Sequence, residues 1–105
     1  MKLPEAFVAY HQSSGALEVV LEGADPGWYQ LWPLAQLEHI NRGYEVDRNA
    51  PGYVGIGSDG GGEMIALAPS GEIVIIPFIP MVLNEAIVVA RSWVEFEARI
   101  RSTGA

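Results

Sequence analysis

Residues 53–68 limit the fold more than any other stretch of the chain. They read Tyr-Val-Gly-Ile-Gly-Ser-Asp-Gly-Gly-Gly-Glu-Met-Ile-Ala-Leu-Ala, with three consecutive glycines dividing two apolar runs. Glycine loses more conformational freedom on folding than any other residue, so such a run is expected where backbone needs positive φ or must approach something closely. Asp59 before Gly60 favours a tight reversal between strands. The expectation is a β-hairpin whose turn, Gly57, Ser58, Asp59, Gly60, Gly61, Gly62 and Glu63, has a structural role. The spacing of Gly55, Gly57 and Gly60 also meets the dinucleotide-loop pattern, which needs a helix N-terminus next to receive a pyrophosphate. The chain instead continues with Met64-Ile65-Ala66-Leu67, a Pro-Ser-Gly turn and Ile73-Val74-Ile75-Ile76. That is strand, turn, strand, so no cofactor is expected.

The rest of the chain supplies elements around this hairpin. Pro4 suits the first turn of a helix near 4–14, with Leu3, Phe7, Tyr10 and Ser14 on one side and Gly15 as its C-terminal cap. Leu17 to Leu21 and Trp28 to Trp32 make a first hairpin about the turn Ala24-Asp25-Pro26-Gly27. Leu34, Leu37, Ile40 and Tyr44 recur at helical spacing between Pro33 and Gly43, and Asp47 to Gly52 reads as a polar loop. Ile73 to Ile76 has no polar alternation, so both of its faces should be covered. A last helix, near 92–102, opens on a Ser92/Glu95 capping box. Its buried stripe would be Trp93, Phe96 and Ile100, with Glu95–Arg99 and Glu97–Arg101 as i,i+4 pairs. The expected architecture is a single α+β domain spanning 1–105, an antiparallel sheet of about five strands flanked by three helices.

Composition narrows the function classes. A chain of 105 residues can bury roughly 60 to 70% of its unfolded surface. Cysteine is absent, which excludes disulfides, thiolate metal sites and thiol nucleophiles. No apolar leader comes after Lys2, and the apolar run from Ile73 to Leu83 is broken by Pro77 and Pro80, so a cytoplasmic protein outside the membrane is expected. The formal charge is −7, with no lysine or arginine between Lys2 and Arg42 or between Arg48 and Arg91. Such a field repels a phosphate backbone and speeds encounter with a basic partner; it also simply keeps a small protein in solution.

The segment from Ile56 to Leu67 resembles the signature of the SUKH superfamily, which includes the Smi/Knr fungal cell-wall regulators and many bacterial immunity proteins. The resemblance extends to Leu31-Trp32-Pro33-Leu34 opening a helix that runs to Asn41, Tyr44 and Glu45, to Ile76-Pro77-Phe78, and to the closing Ser92-Trp93-Val94-Glu95-Phe96. It covers most of the chain. Two departures stand out: Ser14 lies where asparagine is usual, and the family's preceding N-terminal helix is lacking, which would leave an apolar face to be covered by another chain or by a longer gene product. The resemblance implies a non-enzymatic protein-binding module, most often an immunity protein that binds and neutralises a toxin. Its fungal branch implies an interaction or scaffold domain in cell-wall or stress regulation.

Residue chemistry adds little catalytic promise. Asp59 and Glu63 offer two carboxylates beside Ser58, well short of the six to eight oxygens a calcium ion takes, so no metal is expected. No serine sits in a nucleophile elbow or beside a base, and His39 and His11 are far apart in sequence, so no catalytic residue is assigned. A small enzyme or ligand-binding protein using the glycine turn is the least supported alternative. Two binding surfaces are expected instead. Glu18, Glu22, Asp25 and Glu38 would form a negative face, unrelieved by local pairs, for a basic toxin or effector. Ile79, Pro80, Met81, Val82 and Leu83 form an apolar segment that either folds back on its own core or mediates homo-oligomerisation.

Overall fold

In a computed structural model, which describes residues 2–13, 15–23 and 27–102, seven strands form one antiparallel sheet. They are β1 (Glu18–Leu21), β2 (Trp28–Leu31), β3 (Val54–Ser58), β4 (Glu63–Leu67), β5 (Ile73–Pro77), β6 (Ile87–Ala90) and β7 (Ile100–Ser102). Their order is β6-β5-β4-β3-β2-β1-β7. Four helices accompany them: α1 (Glu5–Gln12), α2 (Leu37–Gly43), α3 (Val46–Asn49) and α4 (Trp93–Arg99), with 3₁₀ turns at Leu34–Gln36 and Leu83–Glu85. The single α+β domain and its antiparallel sheet agree with the sequence reading. The counts of five strands and three helices do not.

Each discrepancy has a local cause. The segment 100–102 keeps helical spacing with Trp93 and Phe96 but is drawn out of the helix by pairing with β1, Val20 opposite Arg101 and Leu21 opposite Ile100. Arg101 therefore cannot meet Glu97 across a helical turn. It stands 4.0 Å from the Glu22 carboxylate, while Glu97 accepts from the Trp93 indole N–H at 2.8 Å. The polar stretch after Tyr44 forms α3 because Val46 and Ala50 bury themselves against the sheet. Glu45, with φ of 55°, turns the chain from α2 into it. The capping box is half made: Ser92 Oγ accepts from the Glu95 amide at 3.1 Å, but the Glu95 carboxylate turns to Arg91 at 3.0 Å and Arg99 at 3.7 Å. The hydrogen bond from Arg91 holds the Glu95 carboxyl below the ordinary carboxylate range.

The strand order requires the sheet to curl. β6 and β7 are its two ends, yet only Arg91, Ser92 and the seven-residue α4 join them. Six strand spacings across a flat sheet would cover about 29 Å, whereas a seven-residue helix reaches about 10 Å. The ends meet at Arg99, whose guanidinium donates to the Val89 carbonyl on β6 at 2.8 Å and to the Glu22 carbonyl after β1 at 3.2 Å. The two faces of the sheet carry two cores. Phe7 of α1 and Trp93 and Phe96 of α4 pack on Val19, Leu21, Tyr29, Leu31, Ile56, Ile65, Leu67 and Ile73. Val46 and Ala50 pack on Met64, Ala66, Val74 and Ile76, where Phe78 and Met81 complete the cover. β5 is accordingly covered on both faces, as its unbroken apolar run implies.

Candidate functional site beside the glycine turn

The turn between β3 and β4 satisfies its own backbone. Asp59 Oδ1 accepts from the amides of Gly61 at 2.8 Å and Glu63 at 3.2 Å, and Ser58 Oγ accepts from Gly60 at 3.2 Å. These are the local bonds short polar side chains make in turns. Gly60 is required twice over: its φ is +82°, and a Cβ there would lie 2.7 Å from the Trp28 ring. Gly57 is required by contact, since its Cβ would meet the Gln30 carbonyl oxygen at 2.4 Å. Gly62 has open space around it, but its carbonyl accepts from the Phe78 amide at 2.9 Å, which ties the end of β5 to the turn.

That tie brings together residues far apart in sequence. Tyr44 at the end of α2 stacks on Phe78 with ring centroids 4.5 Å apart, and Trp32 lies parallel to Tyr44 at 6.0 Å, inclined by 9°. Tyr44, Phe78 and Ile79 line a shallow cleft of about 530 Å³ together with Gln30, Ser58 and the three glycines. Tyr44 is 44% exposed and Ile79 is 89% exposed. The turn, expected only to be structural, thus shares a surface with the first residue of the apolar segment. The sequence reading places Tyr44 and Phe78 in motifs but not in a site, because their separation of 34 positions has no local signature.

The apolar segment divides. Met81 packs in the second core, Val82 is half-buried, and Ile79, Pro80 and Leu83 are exposed. Folding back and standing free are therefore both realised, each by different residues. The acidic residues also separate. Glu18 and Glu22 share the outward face of β1, whereas Glu38 stands on α2 in a different groove, with Arg42, Glu45 and Arg48. Local cations stand beside two of them, Arg101 at 4.0 Å from Glu22 and Arg42 at 3.6 Å from Glu38, so the expectation of unpaired charge fails there. Asp25 lies outside the described residues.

Tyr29, buried beneath the turn, has its phenol pushed up, first by burial and then by the charges of Asp59 and Glu63. His11 packs edge-on against Phe7 at 4.7 Å with Nε2 buried and unpartnered, and burial lowers its pKa. His39 is exposed on α2. Among the described residues no group of three histidine or carboxylate side chains is placed to hold a metal ion, and no helix is long and apolar enough to cross a membrane. Comparison with protein-family models finds no match, and comparison with curated proteins finds none either.

Proposed function

We propose that the chain is a non-enzymatic protein-binding module of SUKH type, an immunity protein that occupies and neutralises a toxin, with the cleft beside the glycine turn as its recognition surface. The observation that carries this reading is the exposure of Ile79 and Tyr44 over a turn whose polar groups are already engaged with one another. Asp59 spends its carboxylate on backbone amides, which suits a rigid platform better than a reacting group. Exposed aromatic and aliphatic side chains around a concave centre are the type that anchors protein interfaces. The net charge of −7 favours a basic partner, such as a nuclease that must attract phosphate, by raising the rate of encounter.

The test is co-expression with the product of the adjacent gene. The chain should restore growth, and Ile79→Asp or Tyr44→Ala should abolish protection while the folded domain persists by circular dichroism. If both variants protect as well as the parent while lysine at Glu18 and Glu22 does not, recognition belongs to the acidic face of β1.

A further inference from the structure

β6 ends the sheet, with no strand beyond it among the described residues. Val88 pairs with Val74 and Ile87 with Ile75, and both side chains stand open, Ile87 60% exposed and Val88 50%; past a register shift at Val89 the strand closes on the first core, where Ala90 pairs with Ile73 and is buried. Leu83 just before the strand and Val94 in the first turn of α4 are 38% and 65% exposed. Four of the six large apolar side chains that are exposed among the described residues therefore belong to the twelve residues around this one edge. A strand edge also turns alternate amides and carbonyls away from its neighbour, which makes it a template for another strand. Arg99 caps only one of these groups, the Val89 carbonyl.

We infer that β6 pairs antiparallel with β6 of a second copy of this chain, across a two-fold axis. The charge pattern selects both the occupant and the direction. The strand carries no charge from Ile87 to Ala90, is entered past an exposed Glu85 and is left at Arg91, whose side chain is 86% exposed. Antiparallel self-pairing carries each copy's Glu85 toward the other's Arg91, whereas parallel pairing sets like charge against like. Arg91 already contacts Glu95, but an ion pair this exposed contributes little and leaves the guanidinium free to be shared. A four-residue strand flanked by a few apolar side chains makes a small interface, so the dimer is weak and concentration-dependent.

Sedimentation equilibrium of the full chain from about 5 to 500 micromolar, the range in which a weak interface fills, tests this. The average mass should climb from 11.4 kDa toward twice that value. Val88→Lys, the residue type that natural edge strands use for protection, should weaken association at least about tenfold. Glu85→Arg and Arg91→Glu should each weaken self-association, and an equimolar mixture of those two variants should associate again as a heterodimer. A mass that stays at 11.4 kDa throughout overturns the inference. So does a dimer that survives Val88→Lys but is lost on Ile79→Lys, which would place the contact at the cleft. Because Glu85 and Arg91 are exposed, the mixing experiment decides the matter even if Val88→Lys disturbs the fold, and a mixture that fails to associate also overturns it.

Discussion

The hairpin strands β3 and β4 and the edge strand β6 are comparably apolar in sequence, yet Ile56, Met64, Ile65 and Ala66 are fully buried while Ile87 and Val88 keep half or more of their surface. The difference lies in neighbours. β4 is hydrogen-bonded to β3 and β5 and has a core on each face. Among the described residues β6 has β5 on one side only, and α4 leaves it at once to reach the far end of the curled sheet. Apolar character thus specifies burial only where topology supplies partners. In the hairpin a change of one methyl group should be felt, and at the edge a change of charge should be tolerated.

Substitutions at five positions test that contrast, beginning with the largest expected effect. Gly57→Ala forces a methyl group into the Gln30 carbonyl between β2 and β3, where backbone on both sides must move, and should destabilise by about 3 kcal/mol or more in urea denaturation. Tolerance of that alanine would mean that β2 and β3 are less tightly joined than described. Gly60→Ala should lose about 1 to 2 kcal/mol for its left-handed backbone alone, with the Trp28 contact adding to it. Asp59→Ala removes the acceptor for two amides in a partly exposed turn and should lower stability by about 1 kcal/mol, with Asp59→Asn retaining most of it. An unchanged melting temperature for the alanine variant would assign the turn's rigidity to its glycines alone.

The two smallest effects belong to positions with room around them. Gly62 has open space and an ordinary φ, so alanine there should change stability by less than about 0.5 kcal/mol. Equal losses at 60 and 62 would show that Gly62, like Gly60, occupies a conformation or contact that excludes a side chain. Val88→Lys should sit within about 0.5 kcal/mol of the parent when measured at a concentration low enough to keep the chain monomeric. A loss as large as that of Gly60→Ala would erase the contrast by showing that Val88 is packed like a hairpin residue.

Much of the fold is legible in local pattern. Helix α1, the hairpins β1–β2 and β3–β4, β5 and the Ser92 cap arise from periodicity, turn chemistry and capping, all of which act over a few residues. β6 has no comparable signature, because its four apolar residues come after a proline-containing apolar segment and a polar Asn84-Glu85 and read equally well as loop. β7 is hidden inside a helical spacing that its pairing with β1 overrides. The candidate site is legible only in halves. Its glycine turn carries a strong local pattern, but the aromatic pair Tyr44 and Phe78, backed by Trp32, exists because β5 runs beside β4 and the chain turns at Glu45 after α2.

By itself the amino-acid sequence determined that residues 57–63 would reverse the chain, because glycine and a preceding aspartate solve locally both the backbone conformation and the hydrogen bonds that the reversal demands. It also determined an acidic molecule without cysteine chemistry. Only the tertiary structure decided which apolar strands are interior and which is an edge, and how the sheet curls until Arg99 bridges its ends. It alone gathered the distant aromatic side chains of Tyr44 and Phe78 beside the turn. Those outcomes depend on pairings between segments separated by tens of residues, whose free energy is that of surface removed from water, and removal from water is a property of neighbours that no single stretch of sequence contains.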